Sequence, residues 1–370
     1  MLKKIGIHNF KCFNEFEMDN IAPITIIGGS NNVGKTAFLE AIMTHYSAGN
    51  PRIFWSLGNM RNIYLSNPSP RQIWAPLFYN ESNELTIISN DGKNNDSKTT
   101  FSKAFDTAIG NLPDEQKYEL HNGKAEFSSI DANFVNDKYI ISGKYILQKN
   151  MLSNATISFQ KSAIPIKDLE SREDCSLEDY AKSFEKMISY HNLYDANTPE
   201  RLSKVTLNNE KKNLLINVLN IFDNNIVDIT TVLDNGNAYI YTIMKSGRYI
   251  PINYMGDGIV KAIHILLYIL DLQGGILLID EMENGFYYGL YEKLLQSFVE
   301  AAFKMNCQLI MTTHNINIIE TTMKKMDEVG RLDDLCYQRI DISNKTNRRK
   351  AHLFSGKSLV TAFANHMEIR

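Results

Sequence analysis

The chain has few cysteines and no long apolar run, and both absences restrict its class. Its four cysteines are far apart and form no Cys-x-x-Cys pair, which favours reduced thiols over a zinc site or a disulfide framework. The longest apolar stretch, residues 259–272, contains charged residues and is too short to span a bilayer. The N-terminus has a strand pattern and no apolar signal core. We therefore expect a soluble, cytoplasmic protein without a membrane partner.

The chain also lacks an excess of charge of either sign. Its 39 lysines and arginines oppose 42 acidic residues, so the formal net charge of −3 gives no general attraction to nucleic acid. A length of 370 residues is more than one compact core usually contains, which predicts two lobes or a core with an insertion. A basic cluster near the C-terminus has two interpretations, a contact with phosphates or an acidic partner, or a solvated loop between the last two strands. The cluster consists of Lys345, Arg348, Arg349 and Lys350.

The strongest positive feature is a glycine-rich turn between a strand pattern and a helix pattern. Residues 24–27 are apolar and β-prone, and residues 29–36 fit the phosphate-binding pattern G-x-x-x-x-G-K-[ST]. Glycines let successive backbone N–H groups point at phosphates, and the following helix adds its positive dipole. We predict that Lys35 reaches the β- and γ-phosphates and that Thr36 binds Mg²⁺. The predicted nucleotide-binding residues are Gly29, Asn31, Asn32, Val33, Gly34, Lys35 and Thr36.

Two later strand patterns end in residues suited to nucleotide hydrolysis. Residues 276–281 form an apolar run that ends in two acids, and residues 308–315 form another that ends near His314. Open α/β sheets bind ligands at the carboxyl ends of their strands. We predict that Asp280 holds Mg²⁺, that Glu281 is the general base, and that His314 contacts the γ-phosphate or the attacking water. The alternatives are acids paired with surface lysines and a structural histidine.

A second glycine-containing loop precedes the helical pattern at residues 259–272. Gly256, Asp257 and Gly258 form another anion-binding helix start, with Lys261 one turn into the helix. One nucleotide does not require two phosphate cradles from the same chain. We therefore expect this loop to cap the γ-phosphate bound by another subunit. The alternative is a plain helix start after a tight turn.

These elements, in this order, resemble the ATP-binding-cassette ATPases of the SMC/RecF/OLD group, and most closely the OLD-like ATPases of bacterial and phage-defence systems. By this likeness they correspond to an N-terminal strand pair with an Asn-Phe-basic trio (Asn9–Lys11), a Walker A motif, a degenerate signature loop, a Walker B motif with the D-loop region, and a switch-histidine strand. The ending Met367–Arg370 also looks like that of the family. The segments that carry the likeness are IGIHNFKCFNEFEM, GGSNNVGKTAFLEAI, MGDGIVKAIHIL, LLIDEMENGFYYG and QLIMTTHNINIIE.

The resemblance implies an α/β fold, that of an ABC-type P-loop ATPase with a mixed or parallel core sheet. It implies ATP and Mg²⁺ as cofactors, and a head-to-tail homodimer, or a higher oligomer, that ATP joins and hydrolysis by Glu281 releases. It further implies the sensor or regulatory subunit of an anti-phage system whose effector, a nuclease or toxin, is a separate protein. A RecF-like DNA repair ATPase is the main alternative. A transporter energy subunit and a small P-loop kinase or GTPase fit the motifs less well.

The sequence departs from the family pattern at several positions. Met255 occupies the place of the signature serine of transporter-type cassettes, and Tyr287 stands where many relatives have histidine. No convincing Q-loop glutamine follows the P-loop, although Gln72 is a candidate, and Lys11 either reaches the nucleotide or faces solvent. The residues after His314 lack the Asp-x-Asp pair of a TOPRIM nuclease, Asp333, Asp334 and Asp341 being differently spaced. We therefore expect that the chain does not itself cut nucleic acid.

The middle of the chain predicts an attached antiparallel β subdomain and a short helical insertion. β-Prone runs at residues 84–89, 138–147 and 155–159 alternate with polar turns, one of which, at residues 90–99, is a hairpin tip or a mobile loop. The pattern is helical from about residue 169 to 222, and a hairpin around Asp234-Asn235-Gly236 follows. We expect an N-terminal part of the ATPase core at 1–160, a helical insertion at 161–230 for dimerisation or partner binding, and a C-terminal part at 231–370.

Overall fold

The structure is a computed structural model that describes most of the chain. The described residues are 1–46, 57–58, 75–92, 96–106, 126–135, 138–150, 153–162, 187–188, 198–234, 237–272, 274–343, 345–367 and 369. Their strands are β1 (Lys4–Phe10), β2 (Phe13–Met18), β3 (Ile24–Gly28), β4 (Glu84–Asn90), β5 (Asp96–Asp106), β6 (Glu126–Val135), β7 (Lys138–Asn150), β8 (Ser153–Ser162), β9 (Met187–Ile188), β10 (Ile226–Asp234), β11 (Asn237–Met244), β12 (Tyr249–Pro251), β13 (Ile276–Ile279), β14 (Gln308–Thr312), β15 (Leu335–Ile342) and β16 (Arg349–Ser355). Their α-helices are α1 (Lys35–Tyr46), α2 (Thr198–Thr206), α3 (Asn209–Phe222), α4 (Asp257–Asp271), α5 (Tyr291–Lys304), α6 (Ile316–Glu328) and α7 (Gly356–Ala364).

A mixed sheet lies at the centre of the molecule and contains the strands of all three nucleotide-related motifs. Its strand order is β16-β15-β3-β14-β13-β9. All neighbouring pairs are parallel except the edge pair of β15 and β16. Ile27 of β3 pairs with Thr312 of β14, and Met311 pairs with Ile279 of β13, so the three strands end at one edge of the sheet. The prediction of an α/β fold with a mixed core sheet is confirmed.

Both faces of the central sheet are buried, each in its own hydrophobic core. Successive side chains of a strand point to opposite faces. Leu277 and Ile279 accordingly join the core formed with helices α2–α7, whereas Leu278 joins the core formed with α1 and strands β1 and β2. This two-sided burial explains why β13 reads as a continuous apolar run rather than as an alternating one.

A second sheet is entirely antiparallel and is formed by the N-terminal strands and the middle of the chain. Its strand order is β2-β1-β4-β5-β8-β7-β6. The attached antiparallel β subdomain is therefore confirmed. Strands β4 and β5 pair as a hairpin with Asn90 opposite Asp96, so residues 96–99 of the predicted tip belong to strand β5 instead. Strands β10 and β11 form the second predicted hairpin, with Asp234 opposite Asn237. Its turn residues 235–236 lie outside the described part of the chain.

The helical insertion is present at the C-terminal end of the predicted range, but two residues of that range form a strand instead of a helix. Helices α2 and α3 pack into the same core as α4, through Leu202, Leu215 and Leu219. Met187–Ile188, inside the stretch predicted as helical, instead pairs in parallel with Leu278–Ile279 as strand β9. Pairing with an open sheet edge overrides the local helical pattern there. Residues 163–186 and 189–197 lie outside the description.

The helices and cysteines of the described residues bear on the predictions about membranes and thiols. Within these ranges, no helix combines the length and the apolar character that crossing a bilayer requires. Cys12, Cys307 and Cys336 are free thiols. Cys175 falls among the residues that the structure does not describe.

Candidate nucleotide-binding site

The turn between β3 and α1 curls because its glycines adopt backbone conformations that other residues disfavour. Gly29 has φ = 127° and Gly34 has φ = 113°. A Cβ atom on Gly29 would lie 2.3 Å from the carbonyl oxygen of Ile340, and one on Gly34 would lie 2.8 Å from Sγ of Cys12. The motif glycines are thus required by both torsion and space. The loop presents Asn31 and Asn32 to solvent and buries Val33.

Lys35 lies inside this loop at the start of α1. Its Nζ donates to the carbonyl oxygens of Gly29 at 2.9 Å and Ser30 at 2.8 Å, and lies 3.3 Å from Nδ1 of His314. Burial lowers the pKa of Lys35, an effect that the carboxylates of Asp280, Glu283 and Glu281 oppose. The P-loop lysine and the predicted switch histidine are therefore neighbours, although they are 279 residues apart.

Thr36 and Asp280, the two predicted Mg²⁺ ligands, are in direct contact. Thr36 Oγ1 donates to Asp280 Oδ2 at 2.9 Å, and the other carboxylate oxygen of Asp280 accepts from Thr312 Oγ1 at 2.6 Å. Hydroxyl and carboxylate oxygens are the hard donors that Mg²⁺ prefers. The pair therefore fits a magnesium ion bound together with nucleotide phosphates.

Glu281, the predicted general base, has a strained main chain. Its φ is 48°, in the left-handed region. Its N–H donates to Thr312 Oγ1 at 2.8 Å, and its carboxylate accepts a hydrogen bond from the side-chain amide of Asn284. Such strained residues persist where surrounding contacts over-determine them, and they cluster at functional sites.

Thr312, Glu283 and Asn284 shape the site, although the sequence assigned no role to them. The Glu283 carboxylate accepts from Thr313 Oγ1 at 2.8 Å and from the backbone N–H of His314 at 2.6 Å. It thereby joins the loop after β13 to the turn after β14. The third acid in the run Asp280-Glu281-Met282-Glu283 was the sequence signal for this contact; a threonine at a strand end carries no comparable signal.

The predicted signature loop begins helix α4 and is open to solvent. Gly256 and Asp257 are exposed, and Gly256 has φ = 98°. A Cβ on Gly258 would lie 2.6 Å from the carbonyl oxygen of Gly285, so the start of α4 packs closely on the loop after β13. Met255 accepts a hydrogen bond from Thr242 Oγ1 at its Sδ atom, 3.0 Å away. Its side chain therefore packs inward instead of presenting a polar group at the loop.

Lys261 does not occupy the position predicted for it. Its side chain is completely buried, and Nζ donates to main-chain carbonyl oxygens of Glu281, Met282 and Asn284. Burial lowers its pKa to about 8, partly offset by the carboxylates of Glu283, Glu281 and Asp280. A contact between Lys261 and a phosphate held by another subunit is incompatible with this position, because the ammonium points into its own chain.

Lys11 and the basic cluster near the C-terminus differ in exposure and in their partners. Lys11 does not simply face solvent: its side chain is 16% exposed and its Nζ pairs with Glu40 of α1 at 2.6 Å. Lys345 and Arg348 lie in the exposed connection between β15 and β16, as the solvated-loop interpretation predicted. Arg349 turns inward and donates to the carbonyl oxygens of Val33 at 2.9 Å and Cys12 at 2.6 Å.

Arg349 thus supports the P-loop from the side of β16, which the sequence did not indicate.

Gln72, the Q-loop candidate, lies outside the described residues. Tyr287 is 63% exposed beside Tyr288, with ring centroids 4.5 Å apart. The two tyrosines lie close to the Glu281–Asn284 loop in sequence and project away from the core.

The fold and the P-loop define a P-loop ATPase domain, and comparison with known proteins identifies its family. The family model described as "AAA domain, putative AbiEii toxin, Type IV TA system" matches residues 24–320. This range is well over half of the chain, so the protein belongs to that family. The chain is also similar to an "ATP/GTP phosphatase" of Helicobacter pylori (strain ATCC 700392 / 26695), with 24% identity over 361 residues, 91% of this chain and 90% of the relative.

Solved SMC head domains are also similar in structure. The "SMC head domain from Thermotoga maritima" matches at 12% identity and a TM-score of 0.44, covering 96% of this chain and 99% of that chain. A "SmcHead bound to the C-winged helix domain of ScpA" matches at 12% identity and a TM-score of 0.49, covering 97% of this chain and 99% of that chain. At TM-scores below 0.5 these matches add nothing to the assignment of function.

The two hydrogen bonds of the Thr312 hydroxyl lead to a testable prediction. Thr312→Val keeps the side-chain shape but leaves Asp280 Oδ1 and the Glu281 N–H without their partner, which we expect to lower the free energy of unfolding by about 1–3 kcal/mol. Thr322→Val is the matched control, because the equally buried Thr322 hydroxyl only donates to Ile318 O within its own helix at 2.7 Å. Urea unfolding of the two variants measures the difference. Equal losses would show that the Thr312 bridge contributes nothing specific to the site.

Proposed function

We propose that this chain binds ATP with Mg²⁺ and hydrolyses it, as a homodimer that is the regulatory subunit of a defence system. The observation that supports hydrolysis best is the convergence of Lys35, Thr36, Asp280 and Glu281 at one edge of the central sheet. A P-loop alone binds phosphate, whereas the second acid after β13 adds a group that activates water. The name of the Helicobacter relative, "ATP/GTP phosphatase", supports the same reaction.

In the proposed mechanism, phosphate oxygens first replace the carbonyl oxygens that Lys35 binds. Its ammonium donates to two carbonyl oxygens of its own loop. The β- and γ-phosphates offer stronger, charged acceptors in the same nest, so the lysine turns from the loop to the nucleotide. Thr36 and Asp280 would hold the magnesium ion, which would neutralise charge on the phosphates.

Glu281 then acts on the water that attacks the γ-phosphorus. As the new P–O bond forms, the bond between the γ-phosphorus and the β–γ bridging oxygen breaks, and ADP leaves with that electron pair. The water gives its proton to the Glu281 carboxylate. Asn284 orients this carboxylate through its side-chain amide. Glu283 fixes the backbone N–H of His314 and the hydroxyl of neighbouring Thr313. In this mechanism the His314 side chain would donate to the γ-phosphate or the water.

The dimer is proposed because part of the site is presented outward. Gly256 and Asp257 are exposed at the positive end of α4, where an anion from another molecule can approach. Two exposed tyrosines are close in the chain to this part of the site: Tyr254, two residues before Gly256, is 84% exposed, and Tyr288, three residues after Gly285, is 67% exposed. Exposed tyrosines are typical of protein interfaces. A head-to-tail pair of chains covers these rings and places each outward loop over the partner's nucleotide.

The composite site predicts the behaviour of Glu281→Gln. This variant keeps the P-loop and Asp280 but lacks the base, so ATP binding should persist while kcat falls on the order of 100-fold or more. The ATP-loaded protein should therefore accumulate as a dimer in light scattering. Lys35→Ala should bind no ATP and remain monomeric, and Glu300→Gln, an equivalent change on the exposed face of α5, should behave as wild type. A monomer of ATP-loaded Glu281→Gln would rule out the composite site.

The proposed biological role is regulatory, in the cytoplasm, with the effector on a separate protein. The family description names a toxin and a Type IV toxin–antitoxin system, which supports a defence context. The acids after His314 are engaged in ion pairs, Asp333 with Lys357, Asp334 with Arg331 and Asp341 with Arg339. Their dispersal supports the proposal that a partner nuclease or toxin, not this chain, supplies the damaging activity.

A phage challenge tests the defence role. Host cells that carry the gene with its natural neighbours should survive infection better than cells that carry the same genes with Lys35→Ala, because the regulatory cycle requires nucleotide. Plaque counts and culture survival measure the protection, and immunoblots confirm equal amounts of both proteins. Equal protection by the Lys35→Ala genes would exclude a role for nucleotide binding, and no protection by the wild-type genes would contradict the defence role for the phages tested.

Nucleic acids provide a separate test of the enzyme's class. Purified protein with ATP and Mg²⁺ should leave plasmid, single-stranded DNA and tRNA intact, and each should change the ATPase rate less than about 2-fold, in keeping with the net charge of −3. Gel electrophoresis and phosphate release measure the two properties. Strong stimulation by DNA would favour a RecF-like repair ATPase. Cleavage that survives Lys35→Ala but disappears on mutation of Asp341 would reveal a nuclease site.

A further inference from the structure

Lys261, which the sequence places at the loop that caps another subunit's phosphate, faces the interior of its own chain. It lies in the second turn of α4 and is 0% exposed. Its Nζ is 2.8 Å from Glu281 O, 2.8 Å from Asn284 O and 3.3 Å from Met282 O, and lies 5.2 Å from the centre of the Phe286 ring. An ammonium has three donors. The carbonyl oxygens of one loop therefore account for its full hydrogen-bonding capacity.

The loop that Lys261 holds is the one that carries the proposed general base. Glu281 has a left-handed backbone, which is unfavourable for a residue with a side chain. From the side of β14, Thr312 Oγ1 receives the Glu281 N–H and Thr312 O receives the Met282 N–H at 2.9 Å. From the side of α4, the only cation on the carbonyl oxygens of this turn, among the contacts of the described residues, is Lys261. The turn is thus clamped between a strand and a helix.

We propose that Lys261 is a positioning residue for hydrolysis: its buried ammonium fixes the turn from Glu281 to Asn284, and through it the direction of the Glu281 carboxylate. This inference rests on the proposed ATPase function. The hydrogen bonds of the Lys261 ammonium all go to main-chain oxygens of the turn, so it acts through Glu281 and not on the nucleotide. Both ends of the Glu281–Asn284 side-chain hydrogen bond depend on the turn, because each residue offers its carbonyl oxygen to Lys261.

The test is steady-state ATPase kinetics of Lys261→Met, which keeps an unbranched apolar side chain but removes the charge and the donors. We expect kcat to fall about 10- to 100-fold, as displacements of about 1 Å do in catalytic groups. KM and the affinity for a fluorescent ATP analogue should stay within about 2-fold, because the P-loop is untouched. In a Glu281→Gln background the same substitution should cause no further loss of kcat, since the group that it directs is already absent.

Lys211→Met is the matched control. Lys211 of α3 also donates to a main-chain carbonyl oxygen of α4, that of Leu270 at 2.7 Å, but at the opposite end of the helix. Its removal should leave kcat and KM at wild-type values. A wild-type kcat for Lys261→Met would overturn the proposal. So would a large loss of nucleotide affinity, or an equal loss of kcat in the Glu281→Gln background, because each points to a general structural role.

A second variant keeps the proposal testable if Lys261→Met does not fold, as judged by circular dichroism. Lys261→Arg retains the charge, but its planar fork cannot match three carbonyl oxygens arranged around an ammonium. We expect its kcat to be several-fold below wild type at unchanged KM, and a wild-type kcat in the folded variant would overturn the inference. Wild type and Lys35→Ala are measured in the same series. If wild type and Lys35→Ala both show only background ATPase activity, the ATPase function itself is refuted. If wild type is active and Lys261→Met has the same kcat, only the role of Lys261 is refuted.

Discussion

The parallel pairing of β3, β14 and β13 is the constraint on which the candidate site depends. Because Ile27 is level with Thr312 and Met311 with Ile279, the P-loop, the acidic turn and the histidine turn begin at the same height of the sheet. The motifs come from distant parts of the chain, yet the bond between Thr36 and Asp280 needs only that register and side chains of ordinary length. A slip of one residue in either pairing would exchange the faces of the strand and separate these groups.

Three buried or half-buried cations around the site use the same kind of partner, main-chain carbonyl oxygens of a loop. Lys35 binds its own P-loop, Arg349 binds the back of that loop, and Lys261 binds the turn after β13. Removing a charge from water is costly unless hydrogen bonds replace the lost hydration. Carbonyl oxygens supply those bonds without neutralising the cation. For the two lysines, the carboxylates of Asp280, Glu281 and Glu283 partly offset the lowering of the pKa by burial.

The sequence predicted the groups whose chemistry requires a fixed spacing, and it missed those whose role depends on the three-dimensional approach of distant segments. The P-loop and the two buried strands were readable because glycine torsions and two-sided burial leave direct marks in the sequence. Lys261 was placed at the correct helix but on the wrong side, since one turn of helix decides between the surface and the interior. Thr312 and Arg349 carry no local signal, because each acts on main-chain or carboxylate atoms far away in the chain. Strand β9 was missed because two residues at a sheet edge are too few for any periodic pattern.

The left-handed backbone at Glu281 sets stability against activity at a single position. A side chain in this region costs roughly 1–2 kcal/mol, and glycine avoids most of that cost. A population of variants selected only for resistance to heat would therefore favour glycine at position 281 and discard the proposed base. Selection for the rate of hydrolysis would restore glutamate at this position, in spite of the free-energy cost of its left-handed backbone. Screens for thermal stability and screens for hydrolysis are thus expected to rank the same substitution in opposite order.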